Sequence, residues 1–276
     1  MKNRITLALI TLVTLAVLFG VLVSTEKGLI TAGEVSTTQP VTQPVTTKKK
    51  PVKKLNGWKN SRYYVNGVYV VGKKKIGKKW YVFKKNGIVA KKTTTVNGVK
   101  YFLNSKSKLE AYKIKKSYYF PNGKKMKSYQ KNDYITLQRA RKIVKKITND
   151  KMTKEQKRWK CFMWVSKHPY LPLRKFKPTK GWTSKYANDH FLGQGGDCHA
   201  DGSAFAYLAK ALGYKKCYAV LDSSGWTKKG HCWAEVNGRV FDPLFIERGT
   251  KRKDYNSTYQ VFGLHAVRKF EVAKYY

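Results

Sequence analysis

The stretch Gly193-Gln194-Gly195-Gly196-Asp197-Cys198-His199-Ala200-Asp201-Gly202-Ser203-Ala204-Phe205-Ala206-Tyr207-Leu208-Ala209-Lys210-Ala211-Leu212-Gly213-Tyr214 decides how this chain is read. Its leading glycines permit a tight turn. The small and apolar residues that follow recur at helical spacing as far as Gly213, a residue suited to a C-terminal cap. The pattern predicts a helix whose first turn holds Cys198. At that place the positive end of the helix dipole favours thiolate over thiol, and thiolate is the attacking species in cysteine chemistry.

Downstream, Lys216-Cys217-Tyr218-Ala219-Val220-Leu221 reads as a strand, followed by a polar loop through Gly225 and Gly230. His231-Cys232-Trp233-Ala234-Glu235-Val236 and Arg239-Val240-Phe241-Asp242-Pro243 then flank Asn237-Gly238, the signature of a two-residue hairpin turn. In such a hairpin His231 opens one strand and Asp242 closes the other, so their side chains lie close across the ladder. A thiol, an imidazole and a carboxylate are the nucleophile, base and orienting group that thiol catalysis requires. Upstream, Tyr134, Leu137, Ile143, Val144 and Ile147 predict a helix capped at Asn132 or Asp133. Thr153 and Gln156 form a capping-box pattern ahead of Trp159, Phe162, Met163 and Val165, and His168-Pro169 ends that second helix.

Gly196-Asp197-Cys198 ahead of a helix, His231-Cys232-Trp233-Ala234-Glu235-Val236 as a strand, and Phe241-Asp242-Pro243 after it resemble, in order, the motifs of the transglutaminase-like superfamily. The resemblance covers about residues 134 to 270. It implies an α+β fold with a papain-like core, Cys198 as nucleophile, His231 as base and then acid, and Asp242 as the residue that orients the imidazole. An amide of a protein or peptide substrate would be attacked to give a thioester, which passes to water or to an amine. The Cys198 N–H would form half of an oxyanion hole and Gln194 is the candidate for the other half. His199 is expected to point elsewhere and at most to line the pocket. The superfamily includes peptidases, amidases and cross-linking transferases, which share the thioester step and are not separated by these residues. It also includes inactive members, so the alternative function is a wall-binding adhesion or structural protein with a vestigial domain. Against that alternative, all three triad positions are filled.

Residues 55–130 have another texture, in which short aromatic or β-branched runs alternate with turns. Arg62-Tyr63-Tyr64-Val65-Asn66-Gly67 is echoed by Lys79-Trp80-Tyr81-Val82-Phe83-Lys84-Lys85-Asn86-Gly87, by Lys100-Tyr101-Phe102-Leu103, and by Ser117-Tyr118-Tyr119-Phe120-Pro121-Asn122-Gly123. Each Asn-Gly is expected to make a tight hairpin turn, and the hairpins must stack to bury their rings. This all-β module resembles the choline- or glucan-binding type of cell-wall-binding repeat of Gram-positive surface proteins. By that resemblance Trp58, Tyr64, Trp80, Tyr81, Tyr101 and Tyr119 are candidate ligand residues, although each ring could instead belong to the hairpin core. Only two tryptophans fall here, Trp58 and Trp80, and the intervening positions are heavily lysine. A lysine coat repels a cation such as choline, so an anionic wall polymer or glycan is the expected ligand. The polar stretch Lys124 to Asn132 is expected to join this module to a catalytic domain over 131–276.

The net charge of +43 over 276 residues points to polyanionic partners without choosing among them. The compartment narrows the choice. Lys2 and Arg4 flank the apolar run Ile5 to Val23, the pattern of an export segment over residues 1–30, either a cleaved signal peptide or an uncleaved signal anchor. Residues beyond about 30 are then extracellular, in or on the cell wall, which argues against nucleic acid as a partner. Residues 31–54, rich in Thr, Pro and Lys, read as a solvated linker. Of the four cysteines, Cys217 and Cys232 could lie on neighbouring strands, but the spacing diagnoses no disulfide. Neither C-x-x-C nor H-x-x-x-H occurs, so no metal site and no cofactor is expected.

Overall fold

The computed structural model describes residues 54–222, 230–247 and 254–276. The export segment and all of the linker before Lys54 lie outside the described residues. No helix among those described is long and apolar enough to cross a membrane. The fold mixes helices and strands, an α+β arrangement.

Nine short strands come first: β1 (Gly57–Lys59), β2 (Arg62–Val65), β3 (Val68–Tyr69), β4 (Gly72–Ile76), β5 (Lys79–Phe83), β6 (Thr94–Val96), β7 (Val99–Leu103), β8 (Leu109–Ile114) and β9 (Ser117–Tyr119). They pair antiparallel with their sequence neighbours in sheets β1-β2-β3, β4-β5 and β6-β7-β8-β9. Asn66-Gly67 and Asn97-Gly98 have positive φ at both residues and make two-residue turns, as expected. Asn86-Gly87 and Asn122-Gly123 do not. There only the glycine has positive φ, and a wider loop closes through Lys84 N–H to Ile88 O and Phe120 N–H to Lys124 O. The same loop recurs a third time at Asn104, where the N–H of Asn104 donates to Lys108 O and Ser107, at φ 58, takes the glycine's place. Val82, Ala90, Val96, Tyr101, Leu109 and Tyr112 form the core of this region.

The helical region follows with α1 (Ser128–Ile147), α2 (Lys154–Val165), α3 (Trp182–Phe191) and α4 (Cys198–Ala211). The first of these corrects the expected cap at Asn132 or Asp133: α1 starts a turn earlier, where the Gln130 side chain accepts the N–H of Lys127. Asp133 instead accepts the Ala273 N–H at 3.0 Å and the Tyr207 hydroxyl. Thr153 caps α2 with Gln156 as read from sequence. Strands β10 (Cys217–Leu221), β11 (Cys232–Val236), β12 (Arg239–Phe241), β13 (Tyr255–Ser257) and β14 (Arg268–Glu271), with short helices α5 (Leu244–Glu247) and α6 (Tyr259–Phe262), complete the chain. The five strands form one antiparallel sheet in the order β13-β12-β11-β10-β14.

Helix α4 lies between α1, α2 and α3 on one side and the sheet on the other, and every residue from Cys198 through Ala209 is buried. Its small residues allow this. A Cβ on Gly202 would stand 2.7 Å from the backbone carbon of Trp233, so the helix rests directly on β11. The two regions pack together within one compact unit, residues 53–276. Ala111 and Met126 join Tyr134 of α1 in a shared cluster, and Arg141 makes a two-pronged ion pair with Glu110 at 2.6 and 2.8 Å. The stretch expected to act as a polar joint therefore holds a buried Met126 and the first residues of α1.

Candidate active site

The site is built on the N-terminus of α4 and the open end of the β11–β12 hairpin. Asp197 caps α4, its carboxylate accepting the N–H groups of His199 and Ala200 at 3.0 and 3.3 Å. Cys198 is the first helical residue. It lies four positions before Gly202, hence on the same helix face, the one seated on β11. Its thiol comes within reach of the backbone N–H of Cys232, the residue next to His231.

The hairpin turns at Asn237-Gly238, both at positive φ, with Val236 opposite Arg239 and Ala234 opposite Phe241. That register sets His231 and Asp242 diagonally across the strand ends, and His231 Nε2 lies 2.5 Å from Asp242 Oδ2. Asp242 is fully buried, its own N–H bonded to Asp254 O at 2.8 Å. Asp222, a residue with no distinguishing motif around it, accepts the backbone N–H of His231 at 2.6 Å and fixes the end of the strand. With Nε2 turned to the carboxylate, Nδ1 is the nitrogen left to meet a thiol.

Electrostatics modify the expectation at Cys198. Burial pushes its thiol well above the ordinary cysteine value, the carboxylates of Asp197 and Asp201 add to this, and the Cys232 N–H opposes them. The positive end of the helix is thus opposed at Cys198 by burial and by two carboxylates. At His231 burial pulls the pKa down, but the hydrogen bond and charge of Asp242, helped by Asp222 and Asp201, outweigh it and hold the value above the usual one. Burial raises Cys161 and Cys217 to about 12, and Cys232 well above its usual value.

A second histidine–carboxylate pair braces the loop before Cys198. His190 Nε2 lies 2.7 Å from Asp201 Oδ1, and both side chains are fully buried. Burial lowers His190 to about 4, so it serves as a neutral donor that ties α3 to the first turn of α4. Arg174 makes a two-pronged pair with Asp189, whose backbone oxygen accepts the N–H of Gln194 at 2.8 Å. Gly196 bridges to Tyr170, its oxygen accepting the N–H of Leu171 at 2.7 Å. Neither pair stands out in a linear reading, because His190–Asp201 joins two helices and Arg174–Asp189 joins a loop to a helix through residues of ordinary type.

The sequence-predicted residues fall as follows. His231 and Asp242 are in contact at the open end of the hairpin, and Cys198 lies beside Cys232, the residue that follows His231. Gln194 is exposed on the preceding loop. His199 is not turned away: its Nδ1 lies 3.7 Å from the Cys198 sulfur and 3.3 Å from Asp197, and its ring stacks on Phe176 with centroids 3.8 Å apart. Among the hairpin candidates, Trp58, Trp80 and Tyr81 line one cleft. Tyr101 is buried beside Tyr112, Tyr119 stacks on Tyr112, and Tyr64 meets Tyr69 edge to face. The four cysteines are free. Cys217 and Cys232 do lie on adjacent strands, but Cys217 pairs with Val236 and Cys232 with Leu221, four residues or about 13 Å apart along the sheet, too far for a disulfide. Among the described residues no group of side chains could hold a metal ion.

No family model, no curated protein and no solved structure matches this chain.

Proposed function

We propose that this chain is an exported, cell-wall-associated enzyme of transglutaminase-like type, with a papain-like core that transfers an acyl group from an amide through Cys198. The observation that carries the reading is the 2.5 Å contact of His231 with the buried Asp242, at the strand end whose next residue, Cys232, offers its N–H to Cys198. In the reaction His231 Nδ1 takes the thiol proton and the sulfur attacks the amide carbonyl. Donors near the start of α4, the Cys198 N–H among them, stabilise the oxyanion. His231 then returns the proton to the leaving amine, and the thioester is resolved by water or by an amine. Asp242 fixes the tautomer and holds the imidazolium while it exists. In this reading the hairpins hold the enzyme on anionic wall polymer.

Purified protein incubated with a labelled amine and with wall peptides tests the proposal. Incorporation of label indicates transfer, peptide cleavage indicates hydrolysis, and both are expected to vanish in Cys198→Ala. Limiting iodoacetamide is expected to modify Cys198 first, since it is 6% exposed whereas Cys161, Cys217 and Cys232 are fully buried. Neither product from the unmodified protein, or prior labelling of another cysteine, refutes the assignment and leaves the non-catalytic reading.

A further inference from the structure

A cleft of about 710 Å3 opens among the hairpins, within the roughly 300–1,000 Å3 of small-molecule sites. Its apolar wall includes Trp58, Trp80 and Tyr81. Its rim carries five exposed lysines, Lys78, Lys79, Lys91, Lys106 and Lys108, and no Asp or Glu lines it. The rings are held ready for a ligand. Lys73 donates to Pro121 O at 2.8 Å and lies 4.9 Å from the Trp80 ring, supporting it. Trp58 is set edge to face on Tyr81 with centroids 5.2 Å apart, yet remains 46% exposed.

We infer that this cleft binds the anionic sugar unit of a polysaccharide. The inference rests on the reading of the hairpins as a wall-attachment module and adds the site and the chemistry of the ligand. Ring faces suit the flat C–H face of a sugar, and lysines suit a charge whose orientation varies along a polymer, because an ammonium needs no fork geometry. A quaternary ammonium would meet five like charges and no carboxylate, which excludes the cation cage that three rings alone would suggest. A neutral glucan would leave the lysine rim unused. The anion is a phosphodiester or a uronic acid carboxylate, and both present the same features to the cleft.

Calorimetric titration of the full chain with poly(N-acetylglucosamine 1-phosphate), polygalacturonate, a neutral β-glucan, choline chloride and single-stranded DNA tests this. One or both anionic carbohydrates are expected to bind, and the tighter identifies the charge. Trp58→Ala and the pair Lys106→Gln/Lys108→Gln are each expected to weaken that binding about tenfold or more. The exposed pair Lys115→Gln/Lys116→Gln, outside the cleft and of equal charge change, is expected to alter it less than about twofold. Equal loss in both lysine pairs, DNA binding as tight as the carbohydrate, or displacement by choline or neutral glucan overturns the site. Repeating the titration on Cys198→Ala separates the two proposals: binding without amide turnover in the unmodified protein sinks only the enzyme, and turnover without binding sinks only the cleft.

Discussion

Helix α4 and the hairpins β1 to β9 dispose of their apolar residues in opposite ways. From Cys198 through Ala209 the helix is buried on every side, so its sequence is forced toward Gly, Ala and Ser where other elements press on it. The hairpins have a small core around Val82, Leu109 and Tyr112, and leave Trp58, Val68 and Tyr69 exposed. A close-packed element transmits any change in volume to its neighbours, whereas a thin, half-exposed one absorbs it. On the function proposed above, this difference suits the two regions to different roles, since reactive atoms must be held to fractions of an ångström while a polymer-holding surface tolerates motion.

The largest expected effect lies at the rigid end. Asp242→Asn keeps the shape but removes the charge that holds His231, and amide turnover is expected to fall about a thousandfold, on the order of 4 kcal/mol in the transition state. Because Asp242 raises the His231 pKa, the acid limb of kcat/KM on a soluble amide is expected above about 6.5 in the unmodified protein. Imidazole must be neutral to accept the thiol proton, so activity rises as pH passes that pKa. In the residual activity of the variant the limb moves to lower pH. An unchanged limb would separate His231 from the chemistry.

Next comes Gly202→Ala, whose methyl group meets the backbone of Trp233 at 2.7 Å. Lifting α4 off β11 is expected to cost about 3 kcal/mol in denaturant unfolding and to reduce turnover as Cys198 moves from the hairpin. A neutral result would mean that the contact is slack and that the comparison is wrong. At the seam between the regions, Glu110→Gln leaves the Arg141 guanidinium, 30% exposed, without its carboxylate, and a loss of about 1–2 kcal/mol is expected. At the loose end Val68→Thr, on a residue 70% exposed, is expected to change stability by less than about 0.5 kcal/mol. If its effect matched that of Gly202→Ala, the hairpins would be as tightly determined as the helix.

How much of this is legible in sequence follows the same division. The contact of His231 with Asp242 and the place of Cys198 at the start of α4 can be read because each is a local feature, two ends of one hairpin and one helix start, fixed within a dozen residues of chain. The two-residue turns at Asn66-Gly67 and Asn97-Gly98 can be read for the same reason, whereas the same dipeptide at Asn86 and Asn122 sits in a wider loop. The start of α1 escapes a linear reading because Asp133, a good local cap, is taken by distant partners, Tyr207 and Ala273. The Asn104 loop is hidden because Ser107 adopts a backbone angle that glycine usually signals. The joint between hairpins and helices, which rests on Glu110–Arg141 and on Tyr134, is encoded only in the pairing of remote positions. Hydrophobic periodicity carries no record of such pairing.

Strand β14 joins the sheet beside β10, with Phe270 opposite Ala219, so the two partners are about 50 residues apart in the chain. Closing a loop of that length costs entropy before any contact offsets it, whereas the hairpins pair neighbours a few residues apart. Pairing within β1 to β9 is therefore expected to precede the docking of β14, and until β14 docks β10 has an open edge. During that wait the exposed edge can pair with another molecule. Refolding at high protein concentration should lose yield to β-rich aggregates seeded at Cys217–Leu221, and dilution should restore it.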